Sequence, residues 1–405
     1  MSDVYSGAEL LSLQDVVNYD AINSQGRGGA RHLSAVLPAL SAALGTPVST
    51  AIHNDAERLR VDLGVPHASS VIVVLIDGLG FWNLMERKGH APYLRSLVNQ
   101  SHNQQPISSS FPTTTVAALS VFGTGTCPGL TGMTGYSQIN PDNGQLSQMI
   151  QFSNGANPEL IQREPTIFEQ LSAQDVRVTT SGFPKFANSA LTRAALRGSN
   201  YISGANPSQR ITTAARSSFE PGLTYVYIRD ADKMGHQYGW DNERWIGTFE
   251  RVDAQLKSLA KKAAPGTLIA ITADHGMIAS DSSTRIDIAE RPELQEGVVL
   301  VGGEPRAVSL YVEEGMNPND VAQRWRRVLE DKARVYTKDE AIAAGLYGPV
   351  HDRVLPYIGD VIAMASSNVT IVDSRTQSDV ATHLPAVHGS LTRAELDIPF
   401  LLDVV

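Results

Sequence analysis

Five short segments of the sequence carry residue types that could do chemistry together. Their carboxylates, imidazoles and hydroxyls lie at Asp77-Gly78, Pro112-Thr-Thr-Thr115, Asp232 to His236, Asp274-His-Gly276 and His388-Gly389. Asp232 and His236 are four residues apart, so a single turn of chain could hold one ion between them. Imidazole and carboxylate groups are typical ligands of catalytic zinc. The pair could instead be a surface aspartate and a histidine that caps a helix.

The threonine segment follows Phe111 and leads into small apolar residues up to Gly123. We predict a helix here that ends at Gly123 and whose N-terminus presents threonine hydroxyls. Free backbone N–H groups and the helix dipole favour an anion at that end. An unactivated threonine is a poor nucleophile, so a catalytic role would need a metal ion to hold it as an alkoxide. The alternative is that these threonines are only N-caps.

Three apolar runs must position the acidic residues. They cover 71–76, 224–228 and 267–273, and they lead to Asp77, to Asp230 and Asp232, and to Asp274. Such runs are typical of strands buried on both faces of a parallel sheet. Ligands collect at the carboxyl ends of these strands, so the sequence predicts that the acidic residues converge on one site. Asp274 could instead cap the element that follows.

Helical patterns between these runs complete an α/β fold with a mostly parallel sheet. The helices are predicted around 33–44, from Glu164 with a strand at 176–180 after it, and over 245–263. The sequence pattern changes over 281–378. There, strand-like runs at 307–312 and 361–365 surround amphipathic stretches at 318–329 and 338–346. We therefore predict a catalytic core of residues 1–280 and 379–405, with a small inserted α+β subdomain at 281–378.

Composition narrows the possible classes of partner. The 405 residues are 42% hydrophobic and 19% charged, which is ordinary globular composition. The net charge of −9 repels polyanions, so no nucleic-acid polymer or anionic membrane is expected as a partner. The single cysteine, Cys127, cannot form an internal disulfide, and the longest clean apolar run, 71–76, is far below the ~20 residues of a membrane span. With no export signal in the first ten residues, a cytoplasmic location is predicted, and the oligomeric state is left open.

Taken together, these segments resemble the alkaline phosphatase superfamily, and within it the nucleotide pyrophosphatase/phosphodiesterase branch. That branch has a strand ending in Asp-Gly, a Pro-Thr-x-Thr loop leading to Thr-Gly-x-x-Pro, an Asp-x-x-x-His pair, a strand ending in Asp-His-Gly-Met and a late His-Gly. The matching segments are Asp77-Gly78, Pro112 to Thr115 with Thr124 to Pro128, Asp232 to His236, Asp274 to Met277, and His388-Gly389. They occur in the family order over more than 300 residues.

The resemblance implies a three-layer α/β/α sandwich and two divalent metal ions, zinc first and manganese as the competitor. One ion would be held by Asp232, His236 and His388, and the other by Asp77, Asp274 and His275. Thr115 would bind the second ion and act as the nucleophile. The implied function is hydrolysis of phosphodiesters or nucleotide pyrophosphates through a covalent phosphothreonine, with a small anionic phosphate ester as substrate.

The chain also departs from this pattern. The branch often has Phe-Pro-Asn-His after the nucleophile, where this chain has Val116-Ala-Ala-Leu119. An asparagine that commonly holds a phosphoryl oxygen has no clear counterpart, and Tyr136 occupies the comparable place. We interpret Tyr136 as a hydrogen-bond donor to substrate; the alternative is that its ring packs beneath the helix after Thr115. A phosphomonoesterase or phosphonate hydrolase, and a non-catalytic phosphate- or metal-binding protein, stay open as alternative functions.

Overall fold

The structure is a computed structural model that describes residues 5–14, 19 and 29–405. The first residues of the predicted core, and of the segment searched for an export signal, lie outside this range. Within the described helices, none is both long and apolar enough to cross a bilayer.

A six-stranded sheet forms the centre of the described chain. In spatial order its strands are β18 (Phe400–Val404), β8 (Leu268–Thr272), β1 (Ser70–Ile76), β7 (Gly222–Ile228), β5 (Val178–Gly182) and β6 (Asn200–Ser203). Neighbours pair in parallel except β18, which is antiparallel to β8. Every residue of β1 is buried, and Val71 lies opposite both Leu223 and Leu268. Strands β8, β1 and β7 therefore run side by side and end together, as the sequence predicts.

Helices cover both faces of this sheet and make the fold a three-layer α/β/α sandwich. One layer contains α2 (Val36–Ala43), α6 (Thr115–Thr124) and α9 (Ile167–Ser172), which pack on one another; the other contains α5 (Pro92–Val98), α11 (Pro207–Ser217), α12 (Asp230–Tyr238) and α13 (Glu243–Lys262). The remaining helices are α1 (Gly7–Leu10), α3 (Ala56–Asp62), α4 (Phe81–Arg87), α7 (Pro128–Thr131), α8 (Pro158–Ile161), α10 (Ala190–Ala195), α14 (Pro292–Gln295), α15 (Pro318–Leu329), α16 (Lys338–Ala343), α17 (Asp379–Thr382) and α18 (Arg393–Leu396).

A second, antiparallel sheet lies in the inserted segment. Its order is β11 (Val298–Glu304), β12 (Ala307–Val312), β14 (Val361–Ala365) and β13 (Ala333–Thr337). Helix α15 packs on it and buries Trp325 in a separate apolar cluster. The predicted strands at 307–312 and 361–365 and the helix at 318–329 are confirmed, whereas the boundaries 281 and 378 stay a prediction.

Short two-stranded pairs tie the connecting segments together. They are β2 (Ile107–Ser108) with β17 (Asp397–Ile398), β3 (Ser137–Asn140) with β4 (Gln145–Gln148), β9 (Ile278–Ala279) with β16 (Ala386–Val387), and β10 (Ile286–Asp287) with β15 (Ile371–Val372). The pair of β9 and β16 brings the chain after His275 next to the chain before His388.

Several predicted boundaries are wrong by a few residues. Helix α6 does not end at Gly123: it continues to Thr124, and Gly125 ends it in the left-handed conformation at φ +64°. The predicted helix from Glu164 starts later because Thr166 caps it in a capping box with Glu169. The strand after it is β5, two residues beyond the predicted range, and α16 stops at Ala343 rather than reaching Leu346.

Gly123 allows α6, and with it Thr115, to approach its neighbour closely. A Cβ at this position would lie 1.7 Å from the backbone oxygen of Ala195. We expect Gly123→Ala to lower the free energy of unfolding by about 2 kcal/mol or more, measured by urea denaturation, because two backbones must move apart. Gly247→Ala, in the second turn of α13, is the matched control because the added Cβ would meet only the end of the Arg251 side chain at 3.8 Å, and it should be neutral or stabilising by up to about 1 kcal/mol. Equal effects of the two changes would contradict this account.

Candidate active site

The three acidic strand ends meet through backbone hydrogen bonds. Asp77 follows β1, and its carbonyl accepts the N–H of Asp232 at 3.0 Å. The N–H of Gly78 donates to Oδ1 of Asp274 at 3.0 Å. Gly78 has φ +71°, and a Cβ there would lie 2.8 Å from Cα of Asp232. The glycine after Asp77 is therefore required both by its conformation and by the close approach of α12.

Asp232, His236 and His388 form the first group of potential metal ligands. Oδ1 of Asp232 lies 3.2 Å from Nε2 of His236 and 3.6 Å from Nε2 of His388. The two histidine Nε2 atoms are 3.2 Å apart. One turn of α12 supplies the first two residues, and the loop after β16 supplies the third. The alternative interpretation, an isolated surface aspartate and a histidine that caps a helix, does not agree with these distances.

Asp77, Asp274 and His275 form the second group. Nε2 of His275 lies 3.5 Å from Oδ1 of Asp77 and 3.5 Å from Oδ2 of Asp274. All three side chains are buried. Asp232 is within reach of this group as well, and the rings of His275 and His388 stack with centroids 3.6 Å apart. The two groups are therefore adjacent parts of one centre.

Thr115 faces the second group from the first turn of α6. Its hydroxyl is 3.3 Å from Oδ1 of Asp77 and 3.3 Å from Nε2 of His275. Thr114 occupies the N-cap position but its side chain makes no capping hydrogen bond. Thr113 instead donates to the carbonyl of Ser390 at 2.9 Å. The interpretation of the threonines as N-caps is therefore not supported.

The donor atoms fit divalent cations. Nδ1 of His236, His275 and His388 each lies against a backbone carbonyl, of Ala386, Gly276 and Thr113 respectively, at 2.9, 3.1 and 2.7 Å. Donation from Nδ1 leaves each Nε2 as an acceptor that points into the centre. Oδ1 of Asp232 and Oδ2 of Asp274 are buried and have no hydrogen-bond partner among the described residues. These nitrogen and oxygen acceptors face one another without hydrogen-bond donors between them. A positively charged group bound among them, such as a metal ion, would satisfy them.

The electrostatics lead to the same conclusion. Burial, with the carboxylates of Asp274 and Asp232 nearby, raises the pKa of Asp77 well above its usual range. Burial, with His275 and His236 nearby, lowers the pKa of His388 well below its usual value. Like charges thus oppose one another at Asp77 and at His388, whereas the neighbouring imidazoles, led by His236, lower the pKa of Asp232 against the effect of its burial. A divalent cation beside these groups would reverse that balance.

Two further polar residues at the centre were missed by the sequence analysis. The hydroxyl of Tyr227, near the end of β7, donates to Oδ2 of Asp77. Tyr227 lies near the end of a predicted strand, where site residues are expected, so the sequence contained a signal that could have located it. Glu304 is the last residue of β11, and its Oε2 lies 3.6 Å from Nδ1 of His388. Only the folding of the inserted segment onto the core brings it there, so no local pattern could have located it.

Tyr136 lies at the edge of the centre and is 36% exposed. Burial of the phenol, together with the carboxylates of Glu304 and Asp232, raises its pKa. Contact of the Tyr136 hydroxyl with a substrate stays a prediction.

An aromatic pocket opens on the side of Thr115 and Tyr227. Its lining includes Leu119 on α6 and Tyr227 on β7. It also includes Phe183 and Phe186, which follow β5, and Tyr201 on β6. The guanidinium carbon of Arg210 lies 3.6 Å from the ring centroid of Phe183, and that of Arg229 lies 5.3 Å from it. This side of the centre is therefore both apolar and cationic.

Together, the fold and this centre define a metal-dependent phosphoric ester hydrolase. The family model for type I phosphodiesterase/nucleotide pyrophosphatase matches residues 71–390. The chain belongs to this family, and the resemblance to the alkaline phosphatase superfamily is confirmed. No curated protein matches the sequence.

Solved structures share the fold at low sequence identity. Murine ectonucleotide pyrophosphatase/phosphodiesterase 5 has a TM-score of 0.65 and 17% identity, covering 82% of this chain and 87% of that chain. An inactive threonine-to-alanine variant of that protein, in complex with AMP, has a TM-score of 0.64 and 16% identity, with coverages of 82% and 87%. Phosphonoacetate hydrolase from Sinorhizobium meliloti 1021, in complex with phosphonoformate, has a TM-score of 0.62 and 20% identity, with coverages of 83% and 90%.

The hydrogen bond from Tyr227 to Asp77 should orient this carboxylate for metal binding. We expect Tyr227→Phe to weaken metal affinity about 10- to 100-fold, the usual effect of losing a group that hydrogen-bonds a ligand. Competition with a chromophoric chelator measures the dissociation constant. Tyr225→Phe is the matched control on the same strand, because the Tyr225 hydroxyl has no hydrogen-bond partner among the described residues. Equal affinities of the Tyr227→Phe variant and the parent would show that the contact has no such role.

Proposed function

We propose that this protein hydrolyses phosphodiesters or nucleotide pyrophosphates in two steps, through a covalent phosphothreonine at Thr115. The observation that carries this proposal is the position of the Thr115 hydroxyl. It lies at a helix N-terminus and within 3.3 Å of both Asp77 and His275. A hydroxyl so placed can attack a phosphoryl group whose oxygens meet the N-terminus of α6.

The two steps balance as a hydrolysis. In the first, a bond forms between Oγ of Thr115 and phosphorus while the bond from phosphorus to the leaving oxygen breaks. In the second, water replaces Oγ at phosphorus and Thr115 recovers its proton. The Thr115 proton ends on the leaving group in the first step. In the second step one proton of the water restores the Thr115 hydroxyl, and the other ends on the released phosphate.

We further propose that two zinc ions occupy the two ligand groups, with manganese as the competitor. Asp232, His236 and His388 would hold one ion, and Asp77, Asp274 and His275 the other. Imidazole nitrogens and carboxylate oxygens suit zinc, and two such ions supply Lewis acidity at the attacking and leaving oxygens of an in-line displacement. The three carboxylates and the Thr115 alkoxide would carry −4 against +4 from two divalent ions, so the centre would be about neutral before an anionic phosphoryl group enters.

A diester is the substrate that the surroundings of Thr115 favour. The aromatic pocket between Leu119 and Tyr227 offers space for a second ester group that stays on phosphorus. The mouse relative was captured as an inactive threonine variant with AMP, a phosphate with such a group. A phosphomonoesterase or phosphonate hydrolase would use the same Thr115, and the phosphonoacetate hydrolase shares the fold. A non-catalytic binding protein would have the ligands without turnover.

The remaining proposals concern the setting of the protein. We propose a cytoplasmic location and no nucleic-acid polymer or membrane as a partner. The buried, unpaired Cys127 and the net charge of −9 support these proposals. Cell fractionation tests the location.

Thr115→Ala should remove nearly all turnover while the fold and at least one metal ion are retained. Loss of the nucleophile removes the covalent route rather than slowing it, so we expect at least a ~10³-fold fall in kcat on bis(p-nitrophenyl) phosphate. Mass spectrometry of acid-quenched parent enzyme should show a phosphoryl adduct on Thr115 that the variant lacks. Thr114→Ala and Thr113→Ala are the controls: an inactive control beside an active Thr115→Ala would place the nucleophile at another threonine.

Tyr136 should favour diesters over monoesters. A phenol donates one hydrogen bond and brings no positive charge, and a diester has one negative charge where a monoester has nearly two. We expect a higher kcat/KM for bis(p-nitrophenyl) phosphate than for p-nitrophenyl phosphate, and a loss of about 1–3 kcal/mol of transition-state stabilisation in Tyr136→Phe. Unchanged kinetics in Tyr136→Phe would assign the residue to packing, and a strong monoester preference would exclude a diester as the natural substrate.

A further inference from the structure

The aromatic pocket begins one helical turn from the proposed nucleophile. Leu119 lines it and follows Thr115 by four residues on α6, so both lie on the same face of the helix. Tyr227 lines the pocket from β7, and its hydroxyl donates to Asp77. Oδ1 of this carboxylate is 3.3 Å from the Thr115 hydroxyl. The pocket therefore adjoins the place where phosphorus must lie when Thr115 attacks it.

The group that enters this pocket is the one that stays on phosphorus. In an in-line displacement the leaving oxygen departs on the side of phosphorus opposite the attacking oxygen. Leu119 and Tyr227 lie beside the attacking hydroxyl of Thr115, on the other side from the leaving oxygen. The lining of the pocket therefore decides which retained ester group the protein accepts.

The hydroxyl groups that line the pocket are already paired with other groups of the chain. The Tyr227 hydroxyl donates to Asp77. The other pairs are Tyr201 with the carbonyl of Phe183 at 2.7 Å, Thr192 with the carbonyl of Phe186 at 2.7 Å, Ser189 with the Thr192 hydroxyl at 3.0 Å, and Thr180 with the Ser199 hydroxyl at 2.7 Å. These protons are engaged, so they are not free to bind the acceptor atoms of a nucleobase.

Tyr225 is the exception among these hydroxyls. It lines the pocket, is 1% exposed, and its hydroxyl has no hydrogen-bond partner among the described residues. Its ring packs near Phe122 and Phe168, with centroids 5.6 and 5.8 Å away. A nucleobase has several polar atoms, and each one that is buried without a partner costs free energy. One free hydroxyl is too few to satisfy them.

The rest of the lining is uncharged and apolar. Among the described residues, no charged side chain lines the pocket. Arg210 and Arg229 lie against the ring of Phe183 but are not part of the lining. The apolar lining residues are Leu119, Ile150, Leu191, Leu196, Phe183 and Phe186. Such a surface gains free energy by covering an apolar ligand group and loses it by desolvating a polar one.

The size of the pocket sets a further limit. Its volume is about 90 Å³. An apolar cavity of about 150 Å³ holds one benzene molecule. The pocket therefore takes at most a single ring or a short alkyl chain, and the two fused rings of a purine do not fit inside it.

We propose that the aromatic pocket binds an apolar aryl or alkyl group that is retained on phosphorus, and that it selects against a nucleobase. This rests on the proposed function and deepens it. Of the two proposed substrate classes, the pocket assigns phosphodiesters with an apolar retained group rather than nucleotide pyrophosphates.

The test uses three esters of p-nitrophenyl phosphate that share the leaving group and differ only in the retained group. The retained groups are methyl, benzyl and thymidin-5′-yl, and each is joined to phosphorus through an alkyl oxygen. In the parent protein we expect kcat/KM for the benzyl ester to exceed that for the methyl ester at least about tenfold, because an aromatic ring is buried. The thymidinyl ester should gain nothing over the methyl ester.

Two variants of the lining test whether this preference arises in the pocket. Phe186→Ala removes one aromatic wall, so the ratio of benzyl to methyl kcat/KM should fall at least about fivefold. Leu191→Asn puts an amide into the lining, so it should also lower the benzyl ratio, but it should not lower the thymidinyl ratio. Phe219→Ala is the matched control, because Phe219 is 66% exposed and precedes β7, at the opposite end of the strand from Tyr227. It should leave both ratios unchanged.

The possible results separate this proposal from the proposed function. A thymidinyl ester that is cleaved more efficiently than the benzyl ester would overturn the proposal, and so would equal efficiencies of the benzyl and methyl esters. Equal fold-losses on all three esters in both lining variants would assign Phe186 and Leu191 to structure and would overturn it too. A parent protein that hydrolyses none of the three esters and no bis(p-nitrophenyl) phosphate would instead refute the proposed function.

Discussion

The catalytic centre depends on one constraint: three carboxylates must stay together although they repel one another. Hydrogen bonds of the backbone hold them together. The N–H of Asp232 donates to the carbonyl of Asp77, and the N–H of Gly78 donates to the side chain of Asp274. Strand β1 is buried between β7 and β8, and the burial of its apolar side chains stabilises the fold against the repulsion between the carboxylates. Burial, together with this repulsion, raises the pKa of Asp77. Cations bound among these carboxylates would offset the repulsion, and the Nε2 atoms of His236, His275 and His388 face the same centre.

Around this centre two parts of the chain meet. The core provides the nucleophile and, beside it, the aromatic pocket. The inserted sheet provides Glu304, anchored through Arg306 and Glu395. The ligand groups come from strand ends and a helix of the core, whereas Glu304 comes from a segment that the parallel sheet does not require.

The sequence was sufficient for the parts of the site that follow from local pattern. Apolar runs that end in aspartate located three strand ends, and the spacing of Asp232 and His236 predicted a pair on one helical turn, because both patterns act over a few residues. Glu304 could not be found in this way, since its position depends on how an inserted sheet docks on the core. The predicted end of α6 was wrong because a glycine can either end a helix or allow close packing inside it. Gly123 allows close packing, and Gly125 ends the helix. The ligand roles and the nucleophile follow from the family resemblance, and the geometry is compatible with them.

The central claim is that this arrangement holds two metal ions between one set of strand ends and one helix N-terminus. A crystal structure of the protein purified without chelators, with anomalous diffraction recorded on both sides of the zinc absorption edge, tests it directly. The account predicts two zinc peaks in each chain, one bounded by Asp232, His236 and His388 and one bounded by Asp77, Asp274 and His275, with Oγ of Thr115 beside the second. A single peak, or peaks bound by other residues after zinc has been supplied, would contradict it.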